Sequence, residues 1–240
     1  MGNAKTVIVT GASQGIGAAI AHAFLDRGYN VVASSRSMTK SGFAPSSNLA
    51  LVDGDIGDSS TAENVAQAAL SKFGSIDHLV NNAGIYAAKP FTEYTVDDLR
   101  GLVSTNLDGF VFMTQIVVKQ MLAQGVGGSV TTITAALADN PIAGAPSSVP
   151  MITKGGLNAI TISLAIEYAK QHIRFNAVAP GVVNSPLHDA NPKDFLKTLS
   201  PMGTIAETQD VADAVVYLAE ARYVTGEVLH VDGGAHVGRW

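Results

Sequence analysis

The stretch that most constrains this chain is Thr10-Gly11-Ala12-Ser13-Gln14-Gly15-Ile16-Gly17. An apolar run, Val7-Ile8-Val9, leads into it, and a helical pattern from Ala18 to Leu25 leads out. Strand, glycine turn and helix, in that order, is the context in which glycine spacing acquires a mechanical meaning. Gly11 lets the backbone turn sharply at the strand end. Gly15 leaves room for a phosphate beside the main chain, and Gly17 lets the helix close on the sheet. The start of such a helix offers free N–H groups and the positive end of its dipole, which suits a pyrophosphate. The spacing is Gly-x3-Gly-x-Gly rather than the commoner G-x-G-x-x-G.

Composition narrows the class. With 240 residues, 47% of them hydrophobic, the chain can bury one substantial core, and no linker or repeat divides residues 1–240. A net charge of −5 leaves no basic footprint for nucleic acid. Cysteine is absent, so there is no disulfide framework, thiol nucleophile or Cys-based metal site, which fits a cytoplasmic protein. The six histidines are scattered without metal-ligand spacing. The chain reaches its first strand within a few residues of Met1, so no signal peptide is expected. No uninterrupted apolar run reaches the roughly 18 residues that span a bilayer, so no membrane partner is expected. Only 15% of residues are charged, which is low for a monomer and points to apolar surface buried between subunits.

Apolar runs at 6–10, 30–34, 49–53, 76–81, 129–134, 174–179 and 228–231 read as strands. Longer helical patterns fall between them, which predicts a doubly wound parallel sheet of about seven strands with helices on both faces. The first helix runs to about Arg27 and stops at Gly28. Residues 37–48, rich in Ser and broken by Gly42 and Pro45, read as a loop. Ser60-Thr61-Ala62-Glu63 predicts a capping box for a helix reaching Phe73. Thr95 caps a long helix through about Gln124, a further helix covers 150–172, and another covers 208–221. Residues 180–207 are long and irregular, as ligand-serving loops are. Asp53, Asp55 and Asp58 suggest a calcium loop, but Asn64 stands where its bidentate Glu is needed, so that reading fails.

The glycine octapeptide resembles the cofactor loop of the short-chain dehydrogenase/reductase family, and four further motifs follow in the family's order. Asp53-Gly54-Asp55-Ile56 follows the third strand. Asn81-Asn82-Ala83-Gly84 follows the fourth. Pro180-Gly181-Val182-Val183-Asn184-Ser185 follows the sixth, and Val231-Asp232-Gly233-Gly234 ends the last. The resemblance covers nearly the whole chain and implies a Rossmann-type fold that binds a nicotinamide dinucleotide. It puts Gly11, Ser13, Gln14, Gly15, Ile16 and Gly17 in the cofactor-binding loop, where Ser13 can add a hydroxyl for a 2′-phosphate. It puts Asp55 on the adenine amine, with Ile56 beside the ring. Asn82, Ala83 and Gly84 would lie along the cofactor. Pro180, Gly181 and Val183 would lie around the carboxamide, Val183 through its backbone, and Ser185 near the pyrophosphate or the carboxamide. The family has a helix where residues 37–48 form a loop, so one face of the sheet looks truncated here.

Cofactor choice follows from the end of the second strand. An acidic residue there would bond the ribose 2′-hydroxyl of NAD. This chain has Ser34-Ser35-Arg36, and hydroxyls with a guanidinium suit a 2′-phosphate. NADP(H) is therefore preferred, with NAD possible. The expected partner is a small-molecule substrate, and the resemblance implies a homodimer or homotetramer.

The active site departs from the family's Ser, Tyr, Lys and Asn. Lys154, in Thr153-Lys154-Gly155-Gly156, fits the Lys position, and Asn106 fits the Asn. Four residues before Lys154, where the proton-passing Tyr belongs, stands Pro150. Ala135 occupies the position of the substrate-binding Ser, with Thr134 the nearest hydroxyl. Proline is not titratable and fits the first turn of a helix, which Ser147 or Ser148 would cap. Loss of a general acid costs about 10²–10⁴ in rate. Tyr86 near the site mouth, or Lys154 acting through water, would supply the missing proton; His188 is a weak candidate. The reading is an NADP(H)-dependent oxidoreductase of a small carbonyl or alcohol with an altered proton-transfer site. The alternatives are a non-catalytic dinucleotide-binding protein and a non-redox enzyme such as a lyase.

Overall fold

The computed structural model describes residues 4–238. In chain order the elements are β1 (Thr6–Thr10), α1 (Gly15–Asp26), β2 (Asn30–Ser35), β3 (Leu49–Asp53), α2 (Ser59–Phe73), β4 (His78–Asn81), α3 (Val96–Val103), α4 (Gly109–Gln124), β5 (Gly128–Ile133) and α5 (Ser148–Glu167). β6 (Ile173–Pro180), β7 (Val183–Asn184), α6 (Lys193–Lys197), β8 (Ala206–Glu207), α7 (Thr208–Glu220) and β9 (Val228–Val231) complete the chain. The seven strands β3-β2-β1-β4-β5-β6-β9 form one sheet in that order, and every pairing is parallel.

Strand residues alternate between two cores because successive side chains point to opposite faces. Val7 and Val9 pack with Phe24 of α1 and Val211 and Val215 of α7. Ile8 and Val32 pack with Val65 of α2 and Met113 and Val117 of α4. All five β1 residues are buried, as a central parallel strand covered on both faces requires. The winding reverses between β1 and β4, which opens a crevice at the carboxyl ends of these strands.

The expected elements are present, with shifted ends and several local corrections. β4 starts at His78 rather than residue 76, because Ile76 is tied to α4 through its N–H and C=O to the Gln124 amide (2.9 Å each). The predicted capping box at Ser60 is absent: α2 begins at Ser59, and Asp58 at its N-cap makes no side-chain cap bond. The capping box at Thr95 is present, formed with Asp98. The helix it opens is interrupted by a wide π-helical turn at Ser104–Asp108. α5 ends at Glu167, and a short 3₁₀ turn, Ala169–Gln171, fills the rest of the range up to His172. Ser147 occupies the N-cap of α5, but its hydroxyl donates to the Ala145 carbonyl (3.2 Å) rather than to the helix, and Ser148 is already helical. Pro150 does sit in the first turn, where a missing N–H costs no helix bond. Between β2 and β3 only one 3₁₀ turn, Met38–Lys40, forms. The irregular stretch after β6 is partly ordered by the β7–β8 pair and by α6.

Two helical stretches, Val96–Gln124 and Ser148–Glu167, have the length and mean hydropathy of a membrane span, although no single run is uninterrupted. Their inner faces pack in the protein's own core through Met113, Val117, Met121 and Ala165.

Candidate active site

The glycine turn is compelled by close approach. Gly11 has φ +66°, and a Cβ there would lie 2.7 Å from Ala83 Cα. A Cβ on Gly17 would lie 2.3 Å from the Gly11 carbonyl oxygen and 2.4 Å from Asn82 Nδ2. These contacts join the end of β1 to the end of β4. Asn82 Nδ2 donates to the carbonyls of Thr10 (2.9 Å) and Gly11 (3.0 Å). Thr10 Oγ1 accepts from the N–H groups of Asn82 (3.1 Å) and Ala83 (3.0 Å). Thr10 thus clamps both strand ends, a role invisible in its local sequence. Gln14 makes no side-chain cap bond to α1, and among the described residues no side chain hydrogen-bonds the N–H groups of the first turn. Glycines that a Cβ would fill and an uncapped helix start fit a pyrophosphate.

Beside Gly84, Asn106 and Lys154 converge. The π-helical turn projects the buried Asn106 inward; such turns recur at functional sites. Its Oδ1 accepts from the Ile85 N–H (2.8 Å), and its Nδ2 donates to the Ile85 carbonyl (3.1 Å) and to Thr153 Oγ1 (2.9 Å). Thr153 in turn donates to the Pro150 carbonyl (2.8 Å). Thr153 therefore locks Asn106 to the first turn of α5, another role that sequence reading missed. Lys154 projects from the same turn and donates through Nζ to the Ile133 carbonyl (2.9 Å). A Cβ placed on Gly84 would lie 3.3 Å from both Lys154 Nζ and Asn106 Oδ1. Burial, with no carboxylate to offset it, lowers the Lys154 pKa from 10.5 to about 8.

Beside these groups lies a cavity of about 450 Å³, within the roughly 300–1,000 Å³ typical of small-molecule sites. Gln14, Gly15, Ile16, Asn82, Ala83, Gly84, Pro180, Gly181, Val183 and Ser185 line it, as do Tyr86, Ala135, Lys154 and His188. Burial lowers the His188 pKa below its ordinary value. Most other lining is aliphatic, including Leu137, Ile142, Leu187, Leu196 and Leu199. Thr134 also borders the cavity, but its hydroxyl turns away and donates to the Val178 carbonyl (3.3 Å). Pro150 is buried and does not line it.

The residues read as adenosine contacts lie outside this cavity, beyond the ends of β2 and β3. Arg36 is exposed, with no hydrogen bond or ion pair among the described residues. Ser35 Oγ accepts from the Ser37 N–H (3.4 Å), and Asp55 Oδ1 accepts from the Gly57 N–H (3.0 Å). Ile56 is buried, and a Cβ on Gly109 would lie 2.7 Å from its Cγ2. Ser13 is half-buried in the glycine turn.

A family model described as enoyl-(acyl carrier protein) reductase matches residues 11–236. An L-rhamnose 1-dehydrogenase (NAD(P)(+)) from a Sphingomonas species is 35% identical over 97% of this chain and 96% of its own length. A 3beta-hydroxysteroid dehydrogenase 1 from Eggerthella lenta is 33% identical, covering 96% of this chain and 93% of the relative. In structure, the 3-ketoacyl-(acyl-carrier-protein) reductase from Brucella melitensis, complexed with NADH, superposes with TM-score 0.91 at 28% identity, over 98% of this chain and 99% of that one. The parallel sheet, the glycine cradle and the matches along almost the full chain lead to one conclusion: this chain belongs to the short-chain dehydrogenase/reductase family of NAD(P)-dependent oxidoreductases.

Proposed function

We propose that this protein transfers a hydride between NADP(H) and a small, largely apolar carbonyl or alcohol, using a proton-transfer site unlike that of its family. The observation that carries the reading is the convergence of Asn106 and Lys154 beside Gly84, with Lys154 lining the cavity and Asn106 buried behind it. Burying an ammonium at the cavity wall costs stability, and hydride transfer gives Lys154 a use beyond holding a cofactor ribose. When bound, the nicotinamide supplies the hydride and its electron pair. Gly11 to Gly17 hold the pyrophosphate, Ser35 and Arg36 the 2′-phosphate, and Lys154 the nicotinamide ribose. The aliphatic walls exclude water and favour an apolar substrate over a polyol.

The altered part is the pair of positions where the family carries its Tyr and Ser. Pro150 and Ala135 offer no hydroxyl there, and Thr134 spends its hydroxyl on Val178. That same loss supports the second reading, a dinucleotide-binding protein without turnover. Fluorescence titration with NADPH followed by a panel of ketones separates the two. Tight binding with reduction below typical enzyme rates is expected, and Ala135→Ser with Pro150→Tyr should raise the rate. Binding with no reduction of any ketone would select the second reading. We also propose a cytoplasmic dimer or tetramer. Support comes from the absence of cysteine and from Ile152, Ile162 and Ile166, which α5 leaves exposed. A monomer at micromolar concentration in light scattering would contradict the assembly.

A further inference from the structure

We propose that Lys154 is itself the acid and base of the reaction, handing its proton to the substrate oxygen directly or through one water. This rests on the oxidoreductase reading above and adds the identity of the proton donor. The geometry points to it. Lys154 carries the only charged side chain among the cavity-lining residues, apart from any charge on His188. An ammonium has three N–H bonds. One is held by the Ile133 carbonyl, which fixes Nζ against the end of β5. Two remain, one for the nicotinamide ribose and one for the reacting oxygen. The turn of α5 that carries Lys154 is braced by Thr153, through Asn106 on one side and the Pro150 carbonyl on the other, so the ammonium has a fixed base.

Elsewhere in the cavity the alternatives are weaker. Ala135 has no proton to give, and the Thr134 hydroxyl is committed to Val178. Tyr86 and His188 line the cavity, yet neither makes a hydrogen bond from its side chain among the described residues that would hold it in place. Lys154 alone combines a titratable proton, a fixed position and contact with the cavity. Its acidity also suits the task, because burial brings its pKa to about 8, far closer to neutral pH than the 10.5 of an ordinary lysine.

The step balances. In reduction the C=O π bond breaks and the carbonyl carbon gains hydride from the dihydronicotinamide. The oxygen takes the Lys154 proton, leaving an alcohol, a neutral amine and oxidised cofactor. Solvent then reprotonates the amine. In oxidation the neutral amine accepts the hydroxyl proton. Reduction should therefore hold steady below about pH 8 and fall tenfold per unit above it. Oxidation should rise with pH through the same point.

The test has two arms. In the cofactor-free protein, the Cε resonance of Lys154 in lysine-labelled protein should titrate near pH 8, with the peak identified by its loss in Lys154→Met. A midpoint near the ordinary lysine value overturns the proposal. In the second arm, single-turnover reduction of trifluoroacetophenone at saturating NADPH is followed across pH. Lys154→Arg should keep NADPH affinity within about fivefold but lose reduction by about 10²–10⁴, because a guanidinium does not release its proton. Lys154→Ala should be rescued at least tenfold by methylammonium; this variant also decides the matter if Lys154→Arg does not fold. A rate and alkaline limb unmoved in Lys154→Arg, or no rescue of a folded Lys154→Ala, overturns the proposal while leaving the oxidoreductase reading intact. An alkaline limb that disappears in Tyr86→Phe reassigns the donor to that phenol and also overturns it. Binding of NADPH with no reduction by the unmodified protein overturns the oxidoreductase reading, and this one with it.

Discussion

Two helices begin on opposite sides of the same cavity, and they are built by different rules. The start of α1 is made of backbone. Gly11 and Gly17 are there because the Gly11 main chain just past β1, the Asn82 side chain and the backbone of Ala83 leave no room for a methyl group. The start of α5 is made of side chains. Gly155 and Gly156 follow Lys154 in the same way that glycines crowd the α1 turn, yet a Cβ at either would meet nothing within 4 Å. What matters at α5 is which functional group projects from each position: a buried amine at 154, a hydroxyl at 153 and a pyrrolidine ring at 150. A site made of backbone tolerates almost no substitution. A site made of side chains can exchange one functional group for another without disturbing the fold, and its chemistry changes when it does. Divergent function on one scaffold should accumulate at α5 and not at α1.

The harshest way to test this contrast is Gly17→Ala. The new methyl would sit 2.3 Å from the Gly11 oxygen, and neither that backbone atom nor Asn82, tied to two carbonyls, is free to move. The expected cost is at least about 3 kcal/mol, the upper end of ordinary overpacking, together with loss of NADPH binding. Thermal unfolding and fluorescence titration read both. A variant that melts and binds like the parent would show that the α1 turn is no more constrained than the α5 turn.

Arg36→Asp comes next. It removes a donor pair suited to a 2′-phosphate and installs the carboxylate that a 2′-hydroxyl prefers. With charge-assisted bonds contributing about 1.5–3 kcal/mol, the ratio of NADPH to NADH affinity should fall by at least about 10²-fold and reverse. Arg36 is exposed and makes no bond within the described residues, so stability should stay within about 0.5 kcal/mol of the parent. Equal calorimetric affinities for the two cofactors in the unmodified protein would contradict the preference.

At the α5 turn, Lys154→Met tests whether the amine is held against the interests of the fold. The folded-state pKa of about 8 lies below the unfolded value of 10.5. Below pH 8 both states carry the charge, and folding bears the whole cost of burying it, of order 3 kcal/mol. Between pH 8 and 10.5 the folded state sheds its proton first, so the cost fades as pH rises. Methionine escapes that cost but leaves the Ile133 carbonyl without its donor, which returns about 1 kcal/mol. At pH 7 the cofactor-free variant should therefore be more stable than the parent by about 2 kcal/mol, or roughly 4–8 °C in Tm. The advantage should be gone by pH 10.5. A variant less stable at pH 7 would mean that the amine is structural.

The same division explains what could be read from the sequence. The parallel sheet of about seven strands with helices on both faces, and the tight glycine turn after β1, were legible because they rest on local signals: apolar runs alternating with helical patterns, and glycines at a strand end. The resemblance singled out Asn106 and Lys154 from the residues around them, and the fold brings the two together beside Gly84. Thr10 and Thr153 were not. Thr153 reaches Asn106 from 47 residues away, and Thr10 reaches the β4 end from 72 and 73 residues away, so neither bond leaves a local pattern. The π-helical turn at Ser104–Asp108 was missed for a related reason: its sequence reads as helix, and its extra residue shows only once Asn106 points inward. The capping boxes illustrate the limit from the other side. Ser60 carries the box signature and Thr95 reads only as a cap, yet it is Thr95 that forms the box, because α2 starts two residues too early for Ser60 to be its N-cap.

The mildest test is Gly156→Ala, and it bears most directly on the contrast between the two helix starts. Glycine in a helix interior costs about 1 kcal/mol relative to alanine through backbone entropy. At Gly17 steric need overrides that cost, whereas within one subunit nothing does so at Gly156, where a Cβ finds open space. Alanine there should raise Tm by about 2–4 °C and leave NADPH affinity unchanged. Yet Gly156 lies on the exposed side of α5, on the same helix as Ile152, Ile162 and Ile166, the face proposed to meet a second copy. If helices from two subunits approach closely there, the space beside Gly156 is filled in the assembly, and alanine would lower both Tm and the mass seen by light scattering. A rise in Tm at constant mass means that this glycine is dispensable and that α5 is constrained by its side chains alone. A fall in both means that the α5 turn also obeys the rule of close approach, with the crowding supplied by a partner instead of by its own chain.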